Sequence, residues 1–200
     1  MNLIRSVCLM KKIADKEILV GADFAGCDLK NAVVEHLEIK GWKVTDVGIK
    51  TTDEVNPEMM YHRVGFKVGS MISEGEFERA LLFCGTGMGI NLAANKCPHV
   101  QCAVVESIPA ALRCAAANGC NVMSMGAFYV THRKGKAMAE AFLNHKLGDG
   151  YEHWKGFYEY HKIGYDEIDT FDYNEYKANG FKIKNPPYVE LAPQPIDLIW

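Results

Sequence analysis

The chain has 200 residues, 48% of them apolar and 24% charged, which is enough for one sizeable core with an appendage and is the composition of an ordinary globular protein. A formal charge of −3 without any basic run argues against a nucleic-acid surface, and no apolar stretch is long enough to span a membrane.

Residues 1–16 mix Arg5, Lys11, Lys12, Asp15 and Lys16 into a short apolar stretch with no small-residue cleavage site. They are expected to be an N-terminal extension, not a signal peptide. Residues 18–22 predict a buried strand that runs into Asp23, Phe24, Ala25 and Gly26. A helix follows, with Leu29, Val33 and Leu37 one turn apart and Gly41 as its stop. Residues 43–48 predict a second strand, and a polar loop leads to Pro57. The next helix carries Met60, Val64, Val68, Met71 and Ile72 on one face and stops near Gly75. The apolar run 80–83 predicts a third strand ending at Cys84. Strand four is expected over 100–105, an Ala-rich helix over 108–118, strand five over 121–125 and a further helix over about 131–144.

Strands alternating with single helices at this spacing predict a three-layer α/β/α domain over residues 17–150, built on a doubly wound, five-stranded parallel sheet of Rossmann-like type. Ligands in such sheets bind beyond the C-terminal strand ends, where the winding reverses. If strands one and three are neighbours, the Asp23 turn and the Cys84 turn face each other across that crevice. Residues 151–200 form an aromatic- and Pro-rich C-terminal extension, running from Tyr151 and Trp154 to Tyr188 and Trp200. A helix is expected over 152–161 and an extended course over 185–195, because proline excludes helix. So many aromatics predict an ordered arm over the domain or a partner subunit, with Trp200 buried.

The seven cysteines are odd in number and form no C-x-x-C pair, so they read as reduced thiols of a cytoplasmic protein, with no zinc site. Cys84 alone has a reactive setting. The stretch Cys84-Gly85-Thr86-Gly87-Met88-Gly89 joins a strand to a helix through a glycine-rich turn. Such a turn aims backbone N–H groups and the positive helix end at one point, an anion hole for a phosphate, a carboxylate or an enediolate. Beside those N–H groups, the Cys84 thiol is expected to have a lowered pKa. A dinucleotide fingerprint needs a third glycine where Ile90 stands, and the Gly-Lys-Ser/Thr of a phosphate loop is missing. The bland alternatives are a turn that serves packing alone and an Asp23 that only caps the next helix.

Gly-Ala-Asp-Phe-Ala-Gly at 21–26, the Cys84 motif with Ala93-Ala94-Asn95-Lys96 behind it, and residues 118–126 together resemble the ribose-5-phosphate isomerase B family, which includes the galactose-6-phosphate isomerase subunits. The resemblance spans roughly residues 17–160. It implies an aldose–ketose isomerase acting on a small sugar phosphate, a pentose or tetrose phosphate, without metal or cofactor, through an enediolate. By this resemblance Cys84 is the base, and Thr86 holds Cys84 or a substrate oxygen. Gly85, Gly87, Met88 and Gly89 supply the anion hole, and Asp23 and Phe24 meet the substrate. Asn118, Tyr151 and Lys155 complete the substrate set. Another branch of the family uses a glutamate where Ile90 stands, so this chain can run only the thiol version. The family works as homodimers or larger assemblies with shared sites, so a homodimer or dimer of dimers is implied.

The departures are equally informative. Phe24 follows Asp23 where the family has histidine, Asn56 replaces a tyrosine before Pro57, and Ala117 stands where the family's ring-opening histidine precedes an asparagine. Phosphate-gripping arginines fall on Phe128 and Tyr151, and a third on Lys155. A four-carbon ketose phosphate cannot close a stable ring through a free hydroxyl, so the loss at Ala117 points to an acyclic substrate such as a tetrulose phosphate. The rival is a non-catalytic sugar-phosphate-binding protein of the same fold.

Overall fold

The computed structural model describes residues 16–52 and 56–195; the expected N-terminal extension up to residue 15, and Trp200, lie outside them. Five strands, β1 (Glu17–Ala22), β2 (Lys43–Asp46), β3 (Ala80–Cys84), β4 (Cys102–Val104) and β5 (Val122–Gly126), form one parallel sheet in the order β2-β1-β3-β5-β4. The helices α1 (Cys27–Ile39), α2 (Tyr61–Ser73), α3 (Met88–Ala94), α4 (Ile108–Ala116) and α5 (His132–Leu143) connect them. The expected doubly wound sheet is therefore present. β1 and β3 are neighbours, with Ala22 opposite Phe83, and the winding reverses between them.

The period-two pattern of the strands divides the core into two layers. Ile18, Val20, Ala22, Leu81, Phe83, Met123 and Met125 pack under α1, α4 and α5, where Leu29, Val33, Ala115, Met138 and Phe142 meet them. Leu19, Leu82 and Cys84 face the other way, onto Val64, Val68 and Ile72 of α2 and Ile90 and Ala94 of α3. Cys84 is thus the last residue of the α2–α3 layer. Among the described residues no helix is long and apolar enough to cross a membrane.

β4 is shorter than the expected 100–105. His99 adopts a φ of +62°, and the Asn121 side chain takes over the ladder there: its Oδ1 accepts from the Gln101 N–H at 2.9 Å and its Nδ2 donates to the His99 carbonyl at 2.7 Å. The extension also differs from expectation. Residues 152–156 are turns, and the helix opens only after Gly156, at φ +83°, running as α6 (Phe157–Asp169). A second helix, α7 (Tyr173–Ala178), was not foreseen; Asp172 Oδ1 caps it by accepting the Glu175 N–H at 2.9 Å. α6 lies against the N-terminal edge of the sheet. Its Tyr165 ring covers Gly119, its Tyr165 carbonyl accepts from Gln101 Nε2 at 3.1 Å, and Asp169 pairs with His99 at 3.0 Å. The His161 ring lies tilted against Phe157 at 4.3 Å between centroids, and burial pushes its pKa down.

Beyond α7 the described chain has no regular secondary structure, with Phe181 and Asn185 at positive φ, and it returns to the body at residues 190–192. Trp154 Nε1 donates to the Ala192 carbonyl at 2.7 Å, and the Ala192 N–H donates to the Lys155 carbonyl at 3.3 Å. Leu191 packs with Trp154, Tyr151 and Phe157. Trp154→Phe keeps the ring contacts and removes the hydrogen bond. It should free this returning segment, with faster hydrogen exchange at residues 190–192, unchanged protection in α5, and a stability loss of about 1 kcal/mol.

Candidate active site

The crevice is assembled from three strand ends. The Asp23 N–H donates to the Phe83 carbonyl at 3.2 Å, continuing the β1–β3 ladder one step past its last pair. On the other flank Cys84 pairs with Gly126, and the Cys84 and Gly85 carbonyls accept from the Ala127 and Phe128 N–H groups, each at 2.9 Å. Gly87, at φ +75°, turns the chain into α3, and its carbonyl accepts from the buried Ser124 hydroxyl at 3.0 Å. The Cys84, Gly85 and Gly87 carbonyls are thus taken up by the surroundings of the turn.

The Thr86 and Gly87 N–H groups and the Asp23 carboxylate all neighbour the Cys84 sulfur. Asp23 Oδ1 accepts the Gly26 N–H at 2.9 Å. That bond forms an Asx turn; the α1 cap position itself is Gly26, with no side-chain cap. Cys84 is 7% exposed and Asp23 9%, so thiol and carboxylate meet in a nearly dry pocket. The expectation of a lowered thiol pKa is overturned. Burial, then the neighbouring Asp23 carboxylate, push the Cys84 thiol up, and the two N–H groups only partly offset them.

The structure brings Asp23, Phe24, Cys84, Gly85, Thr86, Gly87, Met88 and Gly89 to one place. Thr86 Oγ1 does not hold the sulfur; it accepts the Met88 N–H at 3.2 Å and stiffens the turn. Phe24 and Phe128 stand at the rim, 61% and 70% exposed. Asn118, Tyr151 and Lys155 lie elsewhere. α4 and α5 each run from the C-terminal to the N-terminal edge of the sheet, so the residues that follow them sit at the end opposite Cys84 in the same chain. Tyr151 is enclosed there, stacked on Phe157 at 4.0 Å between centroids, and has a packing role. Asn118 and Lys155 are exposed.

Two features escaped the sequence reading. Tyr61, the first residue of α2, lays its ring over the turn, so that a Cβ at Gly89 would stand 2.6 Å from it. It puts a tyrosine at a site whose expected tyrosine is replaced by Asn56. Lys30 is fully buried and donates to Asp46 Oδ2 at 2.5 Å and to the Ile49 carbonyl at 2.8 Å. It pins the β2 loop, whose Ile49 N–H reaches the Ala22 carbonyl at 3.1 Å, behind the Asp23 turn. Among the described residues no group of three or more His, Cys, Asp or Glu side chains is arranged to hold a metal ion.

This geometry can bind an oxyanion at backbone N–H groups beside a thiol that exchanges its proton with a carboxylate. Known proteins are similar to this chain. The 4-deoxy-4-sulfo-D-erythrose isomerase of Clostridium sp. is 38% identical over 139 residues, covering 70% of this chain and 86% of that protein. The D-erythrulose-4-phosphate isomerase of Pectobacterium atrosepticum is 33% identical over 133 residues, 66% of this chain and 86% of the relative. The ribose-5-phosphate isomerase B structure of Clostridium thermocellum superposes with a TM-score of 0.67 at 26% identity, over 81% of this chain and 99% of that one. The family model described as Ribose/Galactose Isomerase matches residues 18–158. With the sheet order, the Asp23 and Cys84 turns and these matches in agreement, the chain belongs to the ribose/galactose isomerase family.

Proposed function

We propose that this protein is an aldose–ketose isomerase for a four-carbon sugar bearing a terminal anion, with Cys84 as the base that moves the proton between neighbouring carbons. The observation that carries this reading is the Cys84 sulfur held between the Thr86 and Gly87 N–H groups and the Asp23 carboxylate. The carboxylate accepts the thiol proton as the thiolate forms, and the N–H groups stabilise negative charge at the sulfur and on the enediolate oxygen. A binding protein would need the N–H groups but not the thiol. Chain length is supported by two things: the names of the two relatives above refer to four-carbon sugars, and Ala117, packed against the cluster of Ala116, Tyr151 and Phe157, has no proton to give to a closed ring.

The remaining ligands come from a second copy of the chain in this reading. Asn118 and Lys155 are at the far end of their own sheet and exposed, so only another subunit can present them to Cys84, which supports a homodimer with shared sites. The six described cysteines are all unpaired, which fits a reducing, cytoplasmic setting. The isomerase needs no metal in this scheme, because the developing charge is met by backbone N–H groups.

The test is turnover across chain lengths. D-Erythrulose 4-phosphate or 4-deoxy-4-sulfo-D-erythrose should be isomerised with a kcat/KM about a hundredfold above that for ribose 5-phosphate, the usual worth of one missing acid–base group. Ribose 5-phosphate turned over as well as the four-carbon substrates would contradict the acyclic reading. The pH profile gives a second check. The rate follows the thiolate, so kcat/KM climbs with pH through the Cys84 pKa, which burial and Asp23 hold above the ordinary thiol range. Asp23→Asn removes the charge that raises it, so the climb should move to lower pH while the plateau falls. An unmoved climb would show that another group titrates.

A further inference from the structure

We propose that the rim made by Phe24 and Phe128 selects a substrate ending in a sulfonate-like monoanion borne directly on carbon over one ending in a phosphate ester; the inference rests on the isomerase reading above. Phe128 is fixed at the glycine turn. Its N–H donates to the Gly85 carbonyl at 2.9 Å, and its ring tip lies so close to Gly85 that a Cβ there would stand 2.7 Å from Cε2 and 2.8 Å from Cζ. Ala25 crowds the same point at 3.3 Å, so the Asp23–Gly26 turn and the Phe128 ring close on Gly85 from two sides. Phe24 and Phe128 remain 61% and 70% exposed above a sulfur that is 7% exposed, and half-exposed Met88 joins them. The mouth above the sulfur is therefore rimmed by two aromatic rings and a thioether.

Several cations of this chain are paired away from the turn, and the Lys155 that a second copy would bring is a point charge without the fork of a guanidinium. Lys30 and Lys50 pair with Asp46, and Arg63 pairs with Glu58 and donates to the Pro57 carbonyl at 2.9 Å. Arg133 opens onto a groove shared with His36, Lys136 and Glu140. The ionisable group in contact with the thiol is itself an anion, Asp23. A phosphate ester carries between one and two charges near neutral pH, because its second pKa is about 6, and proteins hold it with forked guanidinium groups. Aromatic rims strip its water without replacing it. A sulfonate carries one charge spread over three oxygens, is more weakly hydrated, and meets the positive edge of an aromatic ring at smaller cost. Attached directly to carbon, it also lacks the bridging ester oxygen and so ends short of the space that the Phe128 ring fills.

The experiment compares 4-deoxy-4-sulfo-D-erythrose with D-erythrose 4-phosphate, which share a carbon skeleton, as substrates of the full chain. The intact protein should favour the sulfonate by at least about tenfold in kcat/KM, and Phe128→Arg should lower that ratio at least about tenfold by raising the phosphate arm. Phe24→His is an independent second variant, expected to move the ratio the same way. Both positions are exposed, so thermal melting should report an intact fold. Equal or greater use of the phosphate by the intact protein, or a ratio that neither variant moves, overturns the rim assignment while leaving the isomerase in place. Inactivity toward both sugars, in a protein that also fails to isomerise D-erythrulose 4-phosphate, overturns the isomerase reading and the rim assignment with it.

Discussion

Cys84→Ala should lower kcat by roughly three orders of magnitude, within the range that a single general base supplies, and leave KM within a few-fold of the intact enzyme. The thiol sits at the end of β3, where the backbone is held on both sides by the Ala22–Phe83 and Cys84–Gly126 pairs. Removing one sulfur therefore takes away the proton acceptor without moving Asp23 or the turn. The fold should survive, since deleting one small buried group costs about 1 kcal/mol. Cys84→Ser is expected to be nearly as inactive. A hydroxyl in the same position, raised further by the same burial and the same Asp23 charge, does not ionise at working pH. Steady-state kinetics with a four-carbon substrate decide the matter, and a Cys84→Ala enzyme retaining a tenth of its kcat would show that the proton goes elsewhere.

Gly26→Ala carries the largest structural penalty. A Cβ at this position would stand 2.3 Å from the Phe83 carbonyl carbon and 2.5 Å from both the Cys84 nitrogen and the Phe83 oxygen. All three are backbone atoms of a central strand, and none has room to give. α1 must lift from β3, and the Gly26 N–H must leave Asp23 Oδ1, its partner at 2.9 Å. The expected loss is about 3 kcal/mol, the upper end of overpacking penalties, or a fall in Tm of roughly 6–12 °C at this chain length. Activity should fall about a hundredfold even where the protein remains folded, because a shift near 1 Å separates Asp23 from the sulfur. Thermal melting and kinetics on the same sample separate the two effects. A variant that melts with the parent would show that the contact is not rigid.

Much of the fold was legible because its signals are local. Leu29, Val33 and Leu37 repeat at helical spacing, and the 18–22 and 80–84 runs are apolar throughout, as strands covered on both faces require. Chain order then left few topologies, and the neighbourhood of β1 and β3 brought the Asp23 and Cys84 turns together as expected. The thiol's pKa was misread because the sequence displays the N–H groups of the turn but not the depth of the pocket, and burial outweighs them. No local signal in the sequence marks Lys30; it is buried because Asp46 and the Ile49 carbonyl, 16 and 19 residues away in sequence, converge on its ammonium. The helix boundaries of the extension were missed for a different reason. Tyr151, Trp154 and Phe157 have near-helical spacing, yet they cluster through turns that end at Gly156. Asn118 and Lys155 follow helices that return to the N-terminal edge of the parallel sheet, far from Cys84 of the same chain, so their assignment to the substrate depends on the shared sites that the family resemblance implies.

The most direct measurement is proton NMR of a four-carbon substrate, D-erythrulose 4-phosphate or 4-deoxy-4-sulfo-D-erythrose, incubated in heavy water with the intact protein and with Cys84→Ala. An enediolate formed by Cys84 exchanges the abstracted proton with solvent. One deuterium should therefore enter at the carbon next to the carbonyl as the aldose and ketose interconvert, and Cys84→Ala should show neither incorporation nor isomerisation. Interconversion that persists in Cys84→Ala would contradict the assignment of the base, and binding of either sugar without exchange in the intact protein would contradict the isomerase itself.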